Sequence, residues 1–139
     1  MEKIKIALDP GATMPTRAHA NDAGMDLYSR ERKVIRAQDW ESIDTGVHVQ
    51  IPEGYVGLVT SKSGLMQKQG ITSRGTIDSG YTGSIHAVLF NHSRKDYIVE
   101  KGDKITQMVL LPIITPEPEL VDKLEETERG DGGFGSTGR

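Results

Sequence analysis

The sequence contains no cysteine, which excludes disulfide bonds, zinc–thiolate sites and cysteine nucleophiles. Aromatic residues are also scarce, at 5% of the chain, whereas glycine occurs 16 times. Few aromatics and many glycines favour short strands joined by tight turns over a bundle of helices. The four histidines, at positions 19, 48, 86 and 92, lack the HxH or HExxH spacing of metal ligands. We therefore expect no metal site built by protein ligands alone.

The chain has no excess of positive charge: its net charge is −3 at pH 7 and its isoelectric point is near 5.8. Such a balance gives no basic footprint, so a direct nucleic-acid partner is not expected. No apolar run approaches the length of a membrane span, and the first residues, MEKIKIALDPG, lack the apolar region of a signal peptide. We expect a soluble cytoplasmic protein without membrane contact, in the host cytoplasm if a virus or phage encodes it.

Short apolar runs separated by turn residues predict β-strands. These runs are residues 4–8, 47–51, 55–61, 84–91, 96–100 and 105–114. The turns PEG (52–54) and KGDK (101–104) predict two hairpins. Run 84–91 is apolar on both faces, which is typical of a central strand. A chain of 139 residues is long enough for one domain with a buried core, and the pattern predicts an all-β sandwich or barrel.

Two short helices are predicted, at 63–69 and, less regularly, at 119–128. From Pro116 the composition becomes acidic and then rich in glycine. We therefore expect residues 1–115 to form the β-domain and residues 116–139 to form a flexible C-terminal arm.

The arm ends in RGDGGFGSTGR (129–139), which contains the GxGxxG spacing of dinucleotide-binding turns. Such a turn, like a P-loop, must lead into a helix, and too few residues follow Gly135 to form one. Glycine amides can converge on an anion. A disordered polar terminus is the alternative, but a solvated tail gains nothing from the ring of Phe134. We interpret the tail as a lid that stacks on a flat ligand.

Two stretches before residue 70 suggest a binding site. DAGMDLYS (22–29) places Asp26 within a predicted strand, either as an edge-strand carboxylate or as a functional group. TSKSGLM (60–66) offers hydroxyls, Lys62 and the start of a helix, which together suit an anion. Ser61 or Ser63 is expected to cap that helix, and the two interpretations are compatible.

Two later stretches add to this set. SRGTIDSGYTGSI (73–85) places Asp78 and Tyr81 in a glycine-bracketed hairpin, whose tip can present backbone donors and acceptors to a base. An ordinary turn with a surface tyrosine is the alternative. Gln107 lies in a strand that otherwise belongs to the core, so its amide either caps a neighbour or meets a ligand.

In order and spacing these stretches resemble the five motifs of the trimeric dUTPases: AGMDLYS, SKSGLM, GTIDSGYTGSI, GDKITQMVLLP and RGDGGFGSTG. The resemblance spans residues 23–138. It implies a jelly-roll-like β-clip protomer and a homotrimer with three sites at subunit interfaces. The glycine-rich arm of one subunit would close over a site built by the other two. The implied reaction is hydrolysis of dUTP to dUMP and pyrophosphate, which limits uracil in DNA and supplies dUMP for dTMP synthesis.

The resemblance also implies roles for individual residues. Asp78 is the general base that aligns a water for attack on the α-phosphorus. Tyr81 packs under the deoxyribose, and the 77–88 backbone pairs with uracil and excludes a 5-methyl group. Asp26 holds a water on a Mg²⁺ ion that the substrate phosphates bind. The remaining substrate contacts are Lys62, Ser63, Gly64, Gly75, Ile77, Gln107, Arg129, Phe134, Gly135, Ser136 and Thr137.

One departure from the family pattern lies in the second motif, where Lys62 stands in place of the usual arginine. Arginine holds phosphate oxygens with two parallel hydrogen bonds, whereas lysine offers a point charge. Transition-state stabilisation is then weaker unless Arg74 helps.

Three other functions remain to be weighed. A dCTP deaminase shares the fold but needs a glutamate near the base-reading hairpin, and this hairpin has none. A dUTP-sensing protein, which docks to a regulatory partner when the arm closes, is compatible with the motifs. A purely structural β-trimer leaves Asp26, Gln107 and Phe134 unexplained.

Overall fold

The computed structural model describes residues 3–138, which contain ten strands and one helix. The elements are β1 (Lys5–Leu8), β2 (Gly24–Tyr28), β3 (Lys33–Ile35), β4 (Trp40–Asp44), β5 (Val47–Gln50), β6 (Tyr55–Thr60), α1 (Ser63–Gln69), β7 (Ile71–Ile77), β8 (His86–Asn91), β9 (Tyr97–Val99) and β10 (Lys104–Pro112).

Six of the strands form one antiparallel sheet, in the order β2-β10-β6-β7-β8-β4. Two small sheets, β1–β5 and β3–β9, complete the fold. Their buried side chains join two apolar clusters with the large sheet: Val47 and Val49 of β5 pack with Met108, and Val99 of β9 packs with Leu89. The core therefore lies between the large sheet and the two small ones, which confirms the all-β, jelly-roll-like architecture.

The face of the large sheet that points away from the core is unusually apolar. Along β8, Ala87 and Leu89 are buried in the core while Phe90 is exposed, as the two-residue period of a strand requires. We call this surface the outer face. Its apolar members are Trp40, Val56, Leu58, Val88, Phe90, Val109 and Leu111.

All six predicted runs are strands, and β8, between β7 and β4, is a central strand as expected. Both predicted hairpins are wrong. β5 pairs with β1 rather than with β6, and β9 pairs with β3 while β10 pairs with β2 and β6. Each turn carries the chain from a small sheet to the large one across the core. A turn signal marks where the chain reverses but not which strand becomes its partner.

Helix α1 follows the prediction in its range but not in its cap. Its N-cap is Lys62, with no side-chain cap hydrogen bond, so neither Ser61 nor Ser63 caps it. The Ser61 hydroxyl instead donates to the carbonyl of Ser73 over 3.1 Å, because the chain turns back onto β7 at this point.

Residues 113–138 contain no helix or strand, so the predicted helix at 119–128 is wrong. Leu120 and Leu124 in this segment are almost fully exposed. A ten-residue helix without a packing surface is marginal in water, which explains the irregular conformation. Residue 139 lies outside the described residues. Among residues 3–138, no helix is both long and apolar enough to cross a membrane.

Candidate active site

Four polar side chains lie in one row across the outer face. The strand registers pair Asp26 with Gln107, Gln107 with Thr60, and Thr60 with Arg74. Adjacent strands lie about 4.8 Å apart. The row therefore brings Asp26, and the start of α1 that follows Thr60, close to the central strands β6 and β7. It thereby joins all four of the stretches before the arm that suggested a site.

Asp26 is the buried acid of this row, with 4% of its surface exposed. Lys62 donates a hydrogen bond to its Oδ1, and Lys104 Nζ lies 3.4 Å from its Oδ2. A buried carboxylate is tolerated only when cations and donors compensate for lost solvation, and the two lysines do so here. Lys62 therefore contacts a protein acid while 27% of its side chain stays exposed.

Gln107 uses its amide group to cap a neighbouring strand end. Its Nε2 donates to the carbonyl of Ser61 over 2.9 Å. The side chain lies flat over Gly24, where a Cβ atom would come within 2.2 Å of Gln107 Oε1. Of the two roles expected for this residue, the structure therefore supports the capping role, and Gly24 provides the space for it.

Asp78 and Tyr81 lie in the turn between β7 and β8. The Tyr81 amide donates to the Asp78 carbonyl over 3.1 Å, and Gly80 adopts a φ of +90°, which favours glycine. Asp78 is exposed at the edge of a cavity of about 300 Å³. Its lining includes Gly75, Ile77 and Tyr81 together with Val88. The glycine-bracketed turn is thus present as expected.

The backbone of this turn leaves one strand edge open. β7 and β8 pair only at Ile71, Thr72 and Ser73. Beyond Ser73 the two strands diverge, while the other side of β7 remains paired with β6 through Ile77. Within the described residues, the β8-facing edge of 74–77 therefore has no ladder partner and borders the cavity.

Side chains from two distant segments anchor this turn. Ser84 donates from its hydroxyl to Asp44, and His48 Nδ1 donates to the Thr82 carbonyl over 2.7 Å. Burial raises the pKa of Asp44, but hydrogen bonds from Ser84 and the Gly46 amide, with the charge of Arg30, outweigh it and lower the pKa. Sequence reasoning missed these anchoring residues because they lie far from the turn along the chain.

The arm residues that the sequence singled out do not reach either group. Phe134 is fully exposed, and the Arg129 side chain donates to the Gly132 carbonyl within its own segment. Arg129, Phe134, Gly135, Ser136 and Thr137 thus stand apart from Asp78 and from Asp26.

The family model for dUTPase matches residues 11–138. The chain belongs to the dUTPase family. The deoxyuridine 5'-triphosphate nucleotidohydrolase of Clostridium tetani is 47% identical over 99% of this chain and 96% of its own length. That of Paramecium bursaria Chlorella virus 1 is 44% identical over 91% of both chains. The solved dUTPase of Staphylococcus bacteriophage 80alpha with dUpNHpp superposes with a TM-score of 0.93, at 36% identity over 100% of both chains.

In this dUTPase chain the motif residues thus fall into three separate groups. Asp26, Lys62 and Gln107 lie together at one end of the outer face, with Ser63 and Gly64 next to them at the start of α1. The second group is the cavity with Asp78 and Tyr81, and the third is the arm. Arg74, the last residue of the polar row, also lines the cavity, whereas Asp26 lies three strands away across the sheet, about 14 Å at the usual strand spacing.

Proposed function

We propose that this chain acts as a dUTP diphosphatase whose general base is Asp78, in a homotrimer with three sites at subunit interfaces. As a member of the dUTPase family, it hydrolyses dUTP to dUMP and pyrophosphate. The observation that carries the mechanism is the exposed Asp78 at the mouth of a cavity with an open backbone edge. The reaction limits uracil in DNA and provides dUMP for dTMP synthesis.

The cavity suits the uracil and the deoxyribose. Its open β7 edge offers backbone donors and acceptors, as the edge of a pyrimidine requires, and Gly75 and Ile77 belong to this edge. The Tyr81 hydroxyl donates to the Ser84 carbonyl over 2.9 Å, which holds the ring across the cavity. A ring fixed in this way packs under the sugar and leaves no room for a ribose 2′-hydroxyl.

The polar row suits the phosphates. The amides of Ser63 and Gly64 open helix α1 without a side-chain cap, so they are available to an anion. Lys62 and Gln107 lie beside them, and Arg74 follows in the same row. The carboxylate of Asp78 accepts a proton from the water that attacks the α-phosphorus. A carboxylate at the cavity mouth is placed to orient that water.

The residues also fit a Mg²⁺ ion that the substrate brings. No cluster of three metal-binding side chains occurs in residues 3–138, so the fold offers no all-protein cage. Mg²⁺ keeps several waters and takes phosphate oxygens, so one buried carboxylate such as Asp26 suffices to hold it through water. When bound, the ion neutralises charge on the phosphates. The solved dUTPase from phage phi11 of S. aureus contains a structural Mg(II) ion.

Separation of the three groups supports the trimer. In one chain Asp26 on β2 lies three strands away from Arg74, which lines the cavity, or about 14 Å at the usual strand spacing, so one substrate is better served by a cavity and an Asp26 end of the row from different copies. The outer face is apolar between them, as subunit interfaces are. The exposed arm then closes over a site on the neighbouring copies, where Phe134 stacks on the uracil, Arg129, Ser136 and Thr137 engage the phosphates, and Gly135 adds a further substrate contact.

Release of pyrophosphate tests this proposal. We expect rapid release from dUTP with Mg²⁺, and little from dTTP, dCTP or UTP. Asp78→Asn should lower kcat about a hundredfold to ten-thousandfold, the usual contribution of a general base, while dUTP still binds. Deamination of dCTP would instead favour the deaminase. Binding of dUTP without turnover by the wild type would favour a sensor with a regulatory protein partner.

A further inference from the structure

A closed chain of side chains holds the dUTP-binding turn at two points. His48 on β5 contacts the Thr82 carbonyl through Nδ1 over 2.7 Å and Asp9 Oδ1 through Nε2 over 2.9 Å. Arg30 continues the chain, with Nη1 3.3 Å from Asp9 and Nη2 2.6 Å from Asp44. Asp44 accepts a hydrogen bond from the Ser84 hydroxyl, and this contact closes the chain of side chains at the turn. The segment between Asp78 and Ile85 is thus anchored from outside the motifs.

The partners of His48 require a doubly protonated ring. A backbone carbonyl and an ionised carboxylate are both acceptors, so each ring nitrogen must carry a hydrogen to satisfy them. The neutral ring has one N–H and would present a lone pair to one of the two oxygens. The bond to Thr82, followed by the bond to Asp9, raises the pKa of His48 above its ordinary value.

Charge balance favours the same state. The ionisable groups that face His48 or its partners are Lys5 on β1, Asp9 after it, Arg30 after β2, Asp44 on β4 and His86 on β8. Two carboxylates and Arg30 leave the chain of bonded groups with a net negative charge, which the His48 cation cancels. Lys5 and His86 stand at the edge of this group rather than within it.

We propose that His48 is a positioning residue for dUTP binding: its doubly protonated ring ties Thr82, and with it the turn that carries Asp78 and Tyr81, to Asp9. This inference rests on the proposed function of that turn. Two other hydrogen bonds remain when His48 loses its proton: the Ile85 amide still donates to the Val47 carbonyl, and the Ser84 hydroxyl still donates to Asp44. Deprotonation therefore loosens the turn without releasing it.

The direction of the pH dependence follows from the sign of the shift. Because the pKa of His48 is raised, the tie is complete in acid and at the ordinary pKa of histidine, about 6.5. It is lost as the pH rises through the higher folded-state value. The KM for dUTP should therefore rise with pH in the wild type, on the order of fivefold for one weakened charged hydrogen bond, while kcat changes little.

The experiment measures KM and kcat for dUTP from about pH 6 to pH 9, a range that spans the titration of a raised histidine. The variants are His48→Gln, Asp9→Asn and, as the matched control, His19→Gln. His19 is an exposed histidine whose ring contacts one carboxylate, Asp22, outside the turn. The ring titration of His48 is followed in parallel by NMR.

We expect His48→Gln to abolish the KM step and His19→Gln to keep it. Asp9→Asn should lower the NMR midpoint of His48 and shift the KM step down by the same amount. A step that persists in His48→Gln, or that stays in place in Asp9→Asn while the NMR midpoint moves, would overturn the proposal. A lower melting temperature of the His48→Gln and Asp9→Asn variants, with an unchanged KM, would show that His48 has a structural role only.

Failure of the proposed function gives a different result. If the wild type does not turn over dUTP, the same series is run as the Kd of dUpNHpp, the analogue bound by the phage 80alpha enzyme. A pH-dependent Kd that follows His48 would support the tie without hydrolysis. A Kd independent of His48 at every pH would reject it.

Discussion

At the scale of single residues, Lys62 is the position where this chain differs most informatively from its family. The lysine donates to the buried Asp26, which also receives Lys104. A lysine that contacts an acid shares its charge between that acid and the substrate phosphates. An arginine has five donors, so it can remain hydrogen-bonded to Asp26 and still donate two hydrogen bonds to a phosphate.

We predict that Lys62→Arg leaves kcat/KM for dUTP equal or raises it, by up to about tenfold for a gained charged hydrogen bond. The measurement is pyrophosphate release under substrate-limiting conditions. Lys68→Arg, on the exposed part of the same helix, is the matched control and should change nothing. A large fall in kcat for Lys62→Arg alone would show that the Asp26 contact needs the lysine geometry.

The residue scale also shows what a sequence can reveal about a site. Asp78, Tyr81 and Gly80 are adjacent in the chain, so their turn was predicted, and Gly80 does adopt a positive φ. Gln107 was correctly suspected because an amide in a core strand needs a partner. Asp9, His48 and Asp44 were not found, since their contacts join residues up to 40 positions apart and each alone is an ordinary polar residue.

At the scale of elements, the turn between β7 and β8 depends on Gly83, to which the motif gives no separate role. A Cβ atom at Gly83 would lie 2.5 Å from the Tyr81 hydroxyl oxygen and 2.6 Å from Cζ. These distances are too short for any real contact, so a side chain at position 83 must displace the Tyr81 ring. The ring position in the cavity therefore requires Gly83.

We predict that Gly83→Ala raises KM for dUTP by about tenfold and weakens discrimination against UTP, because Tyr81 no longer packs under the sugar. Tyr81→Phe loses the bond to Ser84 but keeps the ring, so its effect should be smaller. A double-mutant cycle with Tyr81→Ala checks the cause. Additive effects of Gly83→Ala and Tyr81→Ala would contradict an action through the ring.

The elements also show why strands were easier to predict than their pairing. Apolar runs located six strands because burial between two layers imposes a local pattern. β3, β4 and β7 were missed: KVI is short, WESID presents polar residues on its outer side, and ITSRGTI has apolar residues only at its two ends. Partners such as β1 for β5 depend on how the layers close over the core, which is information spread over the whole chain.

At the scale of the whole molecule, the outer face is expected to hold the trimer together. Leu58, with 37% of its surface exposed, lies at its centre on β6. Ile98 on β9 is 48% exposed but belongs to a small sheet on the opposite side of the core. Leu58 and Ile98 are therefore exposed aliphatic side chains of similar size on different surfaces of the molecule.

We predict that Leu58→Asp dissociates an assembly of three 15.2 kDa chains and abolishes turnover, since a charge in an apolar interface costs several kcal/mol. Ile98→Asp should remain trimeric and active. Light scattering gives the mass and pyrophosphate release the activity. A Leu58→Asp protein that stays assembled would place the interface on another surface.

The proposal that each site is shared between subunits makes a further prediction about mixtures of inactive proteins. Within the described residues, the hydrogen bonds of 127–138 all join residues of that segment, so a chain truncated after Glu126 keeps its folded body. This truncated protein and Asp78→Asn should each be inactive when alone.

After subunit exchange in an equal mixture of the two proteins, about one quarter of the sites combine Asp78 from one chain with the arm of another, because each choice is random. We therefore expect about one quarter of wild-type pyrophosphate release to return. If each arm closed over its own chain, every site would lack one component and the mixture would stay as inactive as its parents.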